Sequence, residues 1–216
     1  MKFISIEGSS FVGKTTIVND LGRMGFQTIP EYDAFGPFIQ SDGTVETNKR
    51  IAQDFVYREQ KRTEMLTKLS NQIVFADRSP LSLITFEDMQ ALEHPGEKKY
   101  RYETRKYIIE LLHDNIVNGS IVLPNSLIIP RIDSQSSFLE RVTKRGITPV
   151  QELSKFAVQQ FITEKTIQYG CRILGNESVE SVDVSNQSSS NVTDLIIAAA
   201  QEAKPSLQNK PITDLL

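Results

Sequence analysis

Eight residues near the start of the chain, Gly8-Ser9-Ser10-Phe11-Val12-Gly13-Lys14-Thr15, read GxxxxGKT, the spacing of a phosphate-binding loop. Each residue type has a physical task. Gly8 and Gly13 permit backbone dihedrals that a side chain forbids. The amides from Ser9 to Thr16 can then turn inward as a nest for phosphate oxygens, backed by the positive end of the next helix. Lys14 can reach the β- and γ-phosphates of ATP, and the Thr15 hydroxyl can hold a magnesium ion (Mg2+). The flanks agree. Phe3-Ile4-Ser5-Ile6 suits a buried strand, and Thr15 to Leu21 spaces apolar residues at helical intervals, with Gly22 and Gly25 as stops.

A chain of 216 residues with 39% hydrophobic and 24% charged residues is the size and composition of one folded domain. The net charge of -3 argues against a nucleic-acid partner. No apolar run approaches the roughly 18 residues of a membrane span. A first strand from Lys2 leaves no room for a signal peptide. The single cysteine, Cys171, forms no internal disulfide, and the expected location is the cytoplasm.

In chain order, Phe26 to Ile29 reads as a second strand closed by Pro30, and Ala34 to Thr44 as a loop. A helical pattern runs from about Glu46 to Leu69. Gln72 to Ala76 is a third strand, followed by helices over about Leu81–Leu92 and Glu97–Asn118. Ile121-Val122-Leu123 and Leu127-Ile128-Ile129 both offer a fourth strand, the later run being favoured. Ser137 to Glu140 resembles a capping box for a short helix through Arg145. A long helix follows over about Val150–Tyr169, then a fifth strand over Val179–Val184. Asn191 is the expected cap of a last helix to about Ala203. The pattern predicts an α/β P-loop fold, a five-stranded parallel sheet with helices on both faces and a small helical lid. One kinase-like domain would cover 1–203, with the lid at about 136–150. The tail, 204–216, is either loose or a packed surface strap.

Ligands of such sheets bind outside the carboxyl ends of the strands. That rule brings the P-loop, Glu31 and Asp77-Arg78 to one edge. Asp77 is the expected magnesium partner of Thr15. Arg78 can pin a phosphate or the attacking oxygen. Glu31 can take the proton of a substrate hydroxyl as it attacks the γ-phosphate, with Asp33 a weaker candidate. Arg141 and Arg145, four apart, share a helix face suited to closing over ATP. Lys144 has Glu140 as a plain ion-pair partner. His94 and His113 lack metal-ligand neighbours.

GSSFVGKT, then PEY after strand two, DRS after strand three and RVTKR in a lid position together resemble the deoxynucleoside kinase and thymidylate kinase family. The resemblance spans roughly residues 1–195, although only the P-loop is highly specific. It implies roles for Lys14 and Thr15 at the triphosphate and magnesium. Glu31 would be the catalytic carboxylate, Arg78 the arginine near the substrate 5′-oxygen, and Arg141 and Arg145 the lid arginines. Arg58 and Gln60 look like the Arg-x-Gln substrate pattern of thymidylate kinases. Alternatively, Gln53 is similar in placement to the base-reading glutamine of nucleoside kinases, with Tyr57 beside it. The chain departs from both branches: Pro30 stands where thymidylate kinases carry arginine, and Tyr32 where nucleoside kinases carry proline after the acid.

The expected activity is therefore an ATP- and magnesium-dependent transfer of phosphate to a hydroxyl of a nucleoside-like small molecule. A nucleoside monophosphate kinase and a P-loop switch are the alternatives. Tyr32, Phe35, Phe38, Tyr57 and Phe86 would suit an aromatic base. The helices at Glu46–Leu69 and Glu97–Asn118 leave a homodimer open.

Overall fold

A computed structural model describes residues 1–40, 44–70, 73–144, 152–205 and 210–216, the side chains of 152–154 and 189 excepted. Five strands, β1 (Lys2–Ile6), β2 (Gln27–Ile29), β3 (Ile73–Asp77), β4 (Ser126–Arg131) and β5 (Val179–Asp183), form one parallel sheet in the order β2-β3-β1-β4-β5. Parallel neighbours need crossovers, and helices supply them. They are α1 (Lys14–Arg23), α2 (Val45–Leu66), α3 (Leu81–Glu93), α4 (Lys98–Val117), α5 (Gln135–Thr143), α6 (Glu152–Leu174) and α7 (Ser189–Glu202).

Strand alternation divides the core. Leu127 and Ile129 of β4 face Ile84, Ile109, Leu112 and Ile173 on one side of the sheet. Ile128 faces the other way, joining Ile4 and Ile6 against Leu21 of α1, Phe138 of α5 and Ile196 of α7. The sheet is thus covered on both faces, as a parallel sheet requires. β1 lies at its centre, paired Ile6 to Asp77 on one side and Ile6 to Ile128 on the other. This register aligns the chain exits after β1 and β3 at the same edge, beside that of β2.

The later of the two runs forms the fourth strand. Ile121 and Leu123 are buried as well, but in an irregular segment leading to it. Two helix starts lie three residues earlier than their expected caps. Ser134 caps α5, accepting from the Ser137 amide at 3.3 Å, and Ser188 caps α7, accepting from the Asn191 amide at 3.3 Å. In both, the expected cap is the donor three positions on, and the true cap is the serine that satisfies it.

The described end of the tail, 210–216, is packed rather than loose. A 3₁₀ turn over Ile212–Leu215 buries both of those residues, and Arg105 of α4 donates to the Leu215 carbonyl at 2.8 Å. The described part of the lid segment, α5, packs Phe138 and Val142 fully into the core. No described helix is long and apolar enough to cross a membrane.

Gly170 sets the distance of α6 from the sheet. A Cβ there would stand 2.6 Å from Leu127 and 3.0 Å from Val179. Alanine in a helix ordinarily gains about 1 kcal/mol over glycine, but overpacking costs about 1–3 kcal/mol. Gly170→Ala is therefore expected to lower unfolding stability in urea by up to about 2 kcal/mol. A variant more stable than the parent by the full helix-propensity gain would overturn this close packing.

Candidate active site

The P-loop takes the conformation that its glycines allow. Gly8 and Gly13 have φ of 122° and 93°, and Phe11 is left-handed at 69°. Lys14 is buried at the start of α1, its ammonium donating to the Ser9 carbonyl at 2.7 Å. Burial first, and then the Arg78 charge, lower its pKa to about 8 against the pull of Asp77, Glu7 and Glu31. A small cavity of about 150 Å³, lined by Ser10, Phe11, Gly13, Lys14, Thr15, Thr16, Glu31 and Arg78, lies over the loop. It has the lining of a phosphate cradle.

Asp77 ends β3 almost wholly buried, and neither carboxylate oxygen completes a hydrogen bond among the described residues. Burial and then the Glu31 charge raise its pKa, while the neighbouring Thr15 hydroxyl and Lys14 favour the ionised form. A buried carboxylate without a partner is costly. Beside the Thr15 hydroxyl it could hold a magnesium ion whose other ligands would come from phosphate and water.

The next residue, Arg78, is left-handed at φ 73°. That conformation costs a non-glycine residue about 1–2 kcal/mol, and it is held from below. Arg62 of α2 donates to the carbonyls of Asp77 and Arg78 at 2.8 and 2.7 Å. Such charge-assisted bonds contribute about 1.5–3 kcal/mol each, enough to hold the turn. Glu7 completes the support, accepting from the Ser79 amide and hydroxyl and from the Ser82 hydroxyl. The turn aims the Arg78 guanidinium at Glu31, and the two form an ion pair. Burial pushes the Glu31 carboxyl up, but the Arg78 charge and hydrogen bond, with Lys14 and Thr15, outweigh it and hold its pKa below the usual carboxylate range. The Thr15 hydroxyl also donates to Glu31, at 3.4 Å.

Glu31 and Arg78 also line a second cavity, of about 250 Å³, with Ser9, Tyr32, Phe38, Phe55, Phe86 and Met89 among its walls. The pair thus stands between the phosphate cradle and a mostly apolar pocket. A third space, lined by Val12, Gly13, Thr16, Arg141, Gln187 and Val192, opens on the other side of the loop. Arg141 donates to the Val12 carbonyl at 3.2 Å and to the Val184 carbonyl. Arg145 lies outside the described residues.

The expected substrate residues on α2 are placed otherwise. Four of the five N–H donors of Arg58 go to Asp54 at 2.7 Å and to the Tyr32, Gly36 and Pro37 carbonyls at 2.7–2.8 Å. Arg58 therefore fixes the loop after β2 instead of facing an acceptor. Gln53 donates to Tyr107 and Gln60 to Asn115, both on α4, and Tyr57 is 54% exposed under Lys61. These three line neither cavity. Tyr32 lends its ring to the pocket, but its hydroxyl donates to the Ser79 carbonyl at 2.8 Å and lies against Glu59. Phe35 stays out of the pocket, whereas Phe38 and Phe86 line it. Sequence reasoning missed Phe55, Glu7, Arg62 and Gln159, whose amide donates to the Ser10 carbonyl. Helical phase was the available signal, since Phe55, Arg58, Glu59 and Arg62 share the inward stripe that Tyr57 leaves.

No protein-family model and no curated protein matches this sequence. Solved structures do match in shape. A deoxyadenosine kinase from M. mycoides, with dCMP and dCDP bound, superposes with a TM-score of 0.62 at 16% identity, over 92% of this chain and 98% of that one. The same enzyme with dATP gives 0.58 at 17% identity, covering 92% and 99%. A thymidylate kinase from Candida albicans gives 0.57 at 17% identity, covering 97% and 96%. The chain has the fold of these kinases.

A lysine in such a loop would bind phosphate as the ammonium, and the lowered pKa of Lys14 leaves it neutral above about 8 when no phosphate is near. Affinity for MgATP is therefore expected to weaken as pH rises from 8 to 9.5, with proton uptake on binding in that window. Titration calorimetry in two buffers of different ionisation enthalpy measures both; a pH-independent affinity would contradict the assignment of Lys14.

Proposed function

We propose that the chain is a kinase that transfers the γ-phosphoryl group of ATP to a hydroxyl of a nucleoside-like small molecule in the cytoplasm. The observation that carries this reading is the Glu31–Arg78 pair, which lines both the phosphate cradle and the apolar cavity. A hydroxyl entering from the cavity meets Glu31 as the γ-phosphate meets Lys14 and the loop amides. Glu31 takes the hydroxyl proton, the new oxygen–phosphorus bond forms, and the bond to the β-phosphate oxygen breaks to leave ADP. The lowered pKa of Glu31 keeps it ionised and ready to accept. Arg78 holds Glu31 in place and offers charge to the transferring group, with Arg141 on the nucleotide side. Thr15 and Asp77 would hold magnesium, which neutralises charge on the β- and γ-phosphate oxygens when bound.

Two observations favour a nucleoside over a monophosphate acceptor. Arg78 is the one cation among the described residues lining the cavity, and Glu31 engages it. Arg58, the cation expected to meet a second phosphate, is spent on loop carbonyls. A built acceptor cavity with a carboxylate at its mouth also favours a transferase over a P-loop switch.

Glu31→Gln preserves shape but removes the proton acceptor. Turnover with the best nucleoside is expected to fall about 10²–10⁴-fold while MgATP still binds. Steady-state kinetics with a parallel binding titration tests this, and unchanged turnover would remove Glu31 from the mechanism.

A further inference from the structure

Behind the acceptor cavity lies another, of about 320 Å³, which shares Phe38, Phe55, Leu83 and Phe86 with it as common walls. The shared walls follow from helical phase. On α3, Ser82, Thr85 and Met89 face the first cavity, Glu87 and Gln90 face the second, and Leu83 and Phe86 line both. The cleft therefore continues from the Glu31–Arg78 pair, past three aromatic rings, to a polar end.

Glu87 stands at that end. It is only 6% exposed, and its Oε2 has no hydrogen-bond partner among the described residues. Arg101 of α4 also lines the cavity, with Nη1 3.5 Å from that oxygen, while its Nε and Nη2 donate to Glu97 at 3.0 and 2.8 Å. Glu87 is thus a buried carboxylate in the cavity wall whose charge is met by one long ion pair, and a further donor would complete its partners. An apolar ligand would leave it with that ion pair alone, and an acidic one would be repelled by Glu87 and Asp54. A flat, neutral ring bearing an N–H next to an acceptor atom satisfies the rings and the polar end together.

We infer that Glu87 and Arg101 read the edge of the acceptor's nucleobase, the Glu87 carboxylate accepting a base N–H and the Arg101 guanidinium donating to the adjoining carbonyl or ring nitrogen. This assignment rests on the kinase reading of the neighbouring cavity and supplies the base contact that Gln53 and Gln60 do not make. It makes Glu87 a specificity residue, remote from the transferring phosphate. It also gives acceptor binding a pH signature. Burial raises Glu87 to about 7 against the pull of Arg101, with Asp88 and Glu97 adding to the rise. The other charged groups around it are engaged elsewhere, Asp54 of α2 with Arg58 and Asp88 of α3 with Arg105. Only the ionised carboxylate is purely an acceptor, so acceptor affinity falls as pH drops below about 7.

The test uses the full chain, MgATP and a panel of nucleosides, with kcat and KM determined separately between pH 6 and 8. Glu87→Gln is expected to raise KM for the best acceptor about 10- to 100-fold, the range of a lost hydrogen bond to a charged group. The kcat and the KM for ATP stay within about threefold, and the dependence of the acceptor KM on pH disappears. An analogue of that nucleoside with the base N–H replaced by C–H is expected to lose a similar factor with the parent enzyme and little more with E87Q. The analogue decides the matter even where E87Q folds poorly, because it needs no variant. An unchanged KM in a folded E87Q, or an analogue used as well as the nucleoside, overturns the Glu87 assignment alone. A parent enzyme that phosphorylates no nucleoside overturns the kinase reading and this inference with it.

Discussion

The turn Asp77-Arg78-Ser79 is the joint on which the site depends. It follows a buried parallel strand, where backbone groups have few partners of their own, and it carries a left-handed arginine. Two buried charged side chains hold it. Arg62 takes the carbonyls from below, and Glu7 takes the Ser79 amide and hydroxyl from β1. Each is buried and would be costly alone. Glu59 partners Arg62 at 2.9 Å, and serine hydroxyls partner Glu7. Burial is affordable because these charges are bonded, and the bonds direct Arg78 at Glu31.

That arrangement divides the cleft by charge. On the side of the small cavity stand Lys14 and Thr15, with Asp77 close by and neither of its carboxylate oxygens completing a hydrogen bond among the described residues. On the side of the larger cavities the walls are aromatic and aliphatic as far as Glu87 and Arg101. The Glu31–Arg78 pair is neutral as a unit, so it separates the two regions without placing an unpaired charge in either. The fold shared with the deoxyadenosine and thymidylate kinases is the frame for this division.

Much of the fold was legible because parallel strands are buried on both faces and read as continuous apolar runs. β1, β3 and β4 are of this kind. The helix caps at Ser134 and Ser188 were misplaced by three residues because serine and asparagine recur at just that spacing, and only the backbone dihedrals show which is the cap. On α2, Arg58 and Gln60 matched a motif, yet the helix turns Gln60 toward α4 and spends Arg58 on loop carbonyls. A short motif names residue types, and helical phase within the packed domain decides where they point.

The sequence by itself determined the phosphate-binding loop, the alternation of strands and helices, and the meeting of Glu31 with Asp77 and Arg78 at one sheet edge. These follow from local backbone rules and from the topology of parallel sheets. Only the tertiary structure decided that Arg78 pairs with Glu31, that neither Asp77 carboxylate oxygen completes a hydrogen bond among the described residues, that the end of the tail is packed, and that Glu87 rather than a glutamine of α2 lines the far end of the cleft. Those outcomes depend on which distant groups remain for a buried polar atom once every other partner is taken, a condition set by the whole packing and by no single stretch of chain.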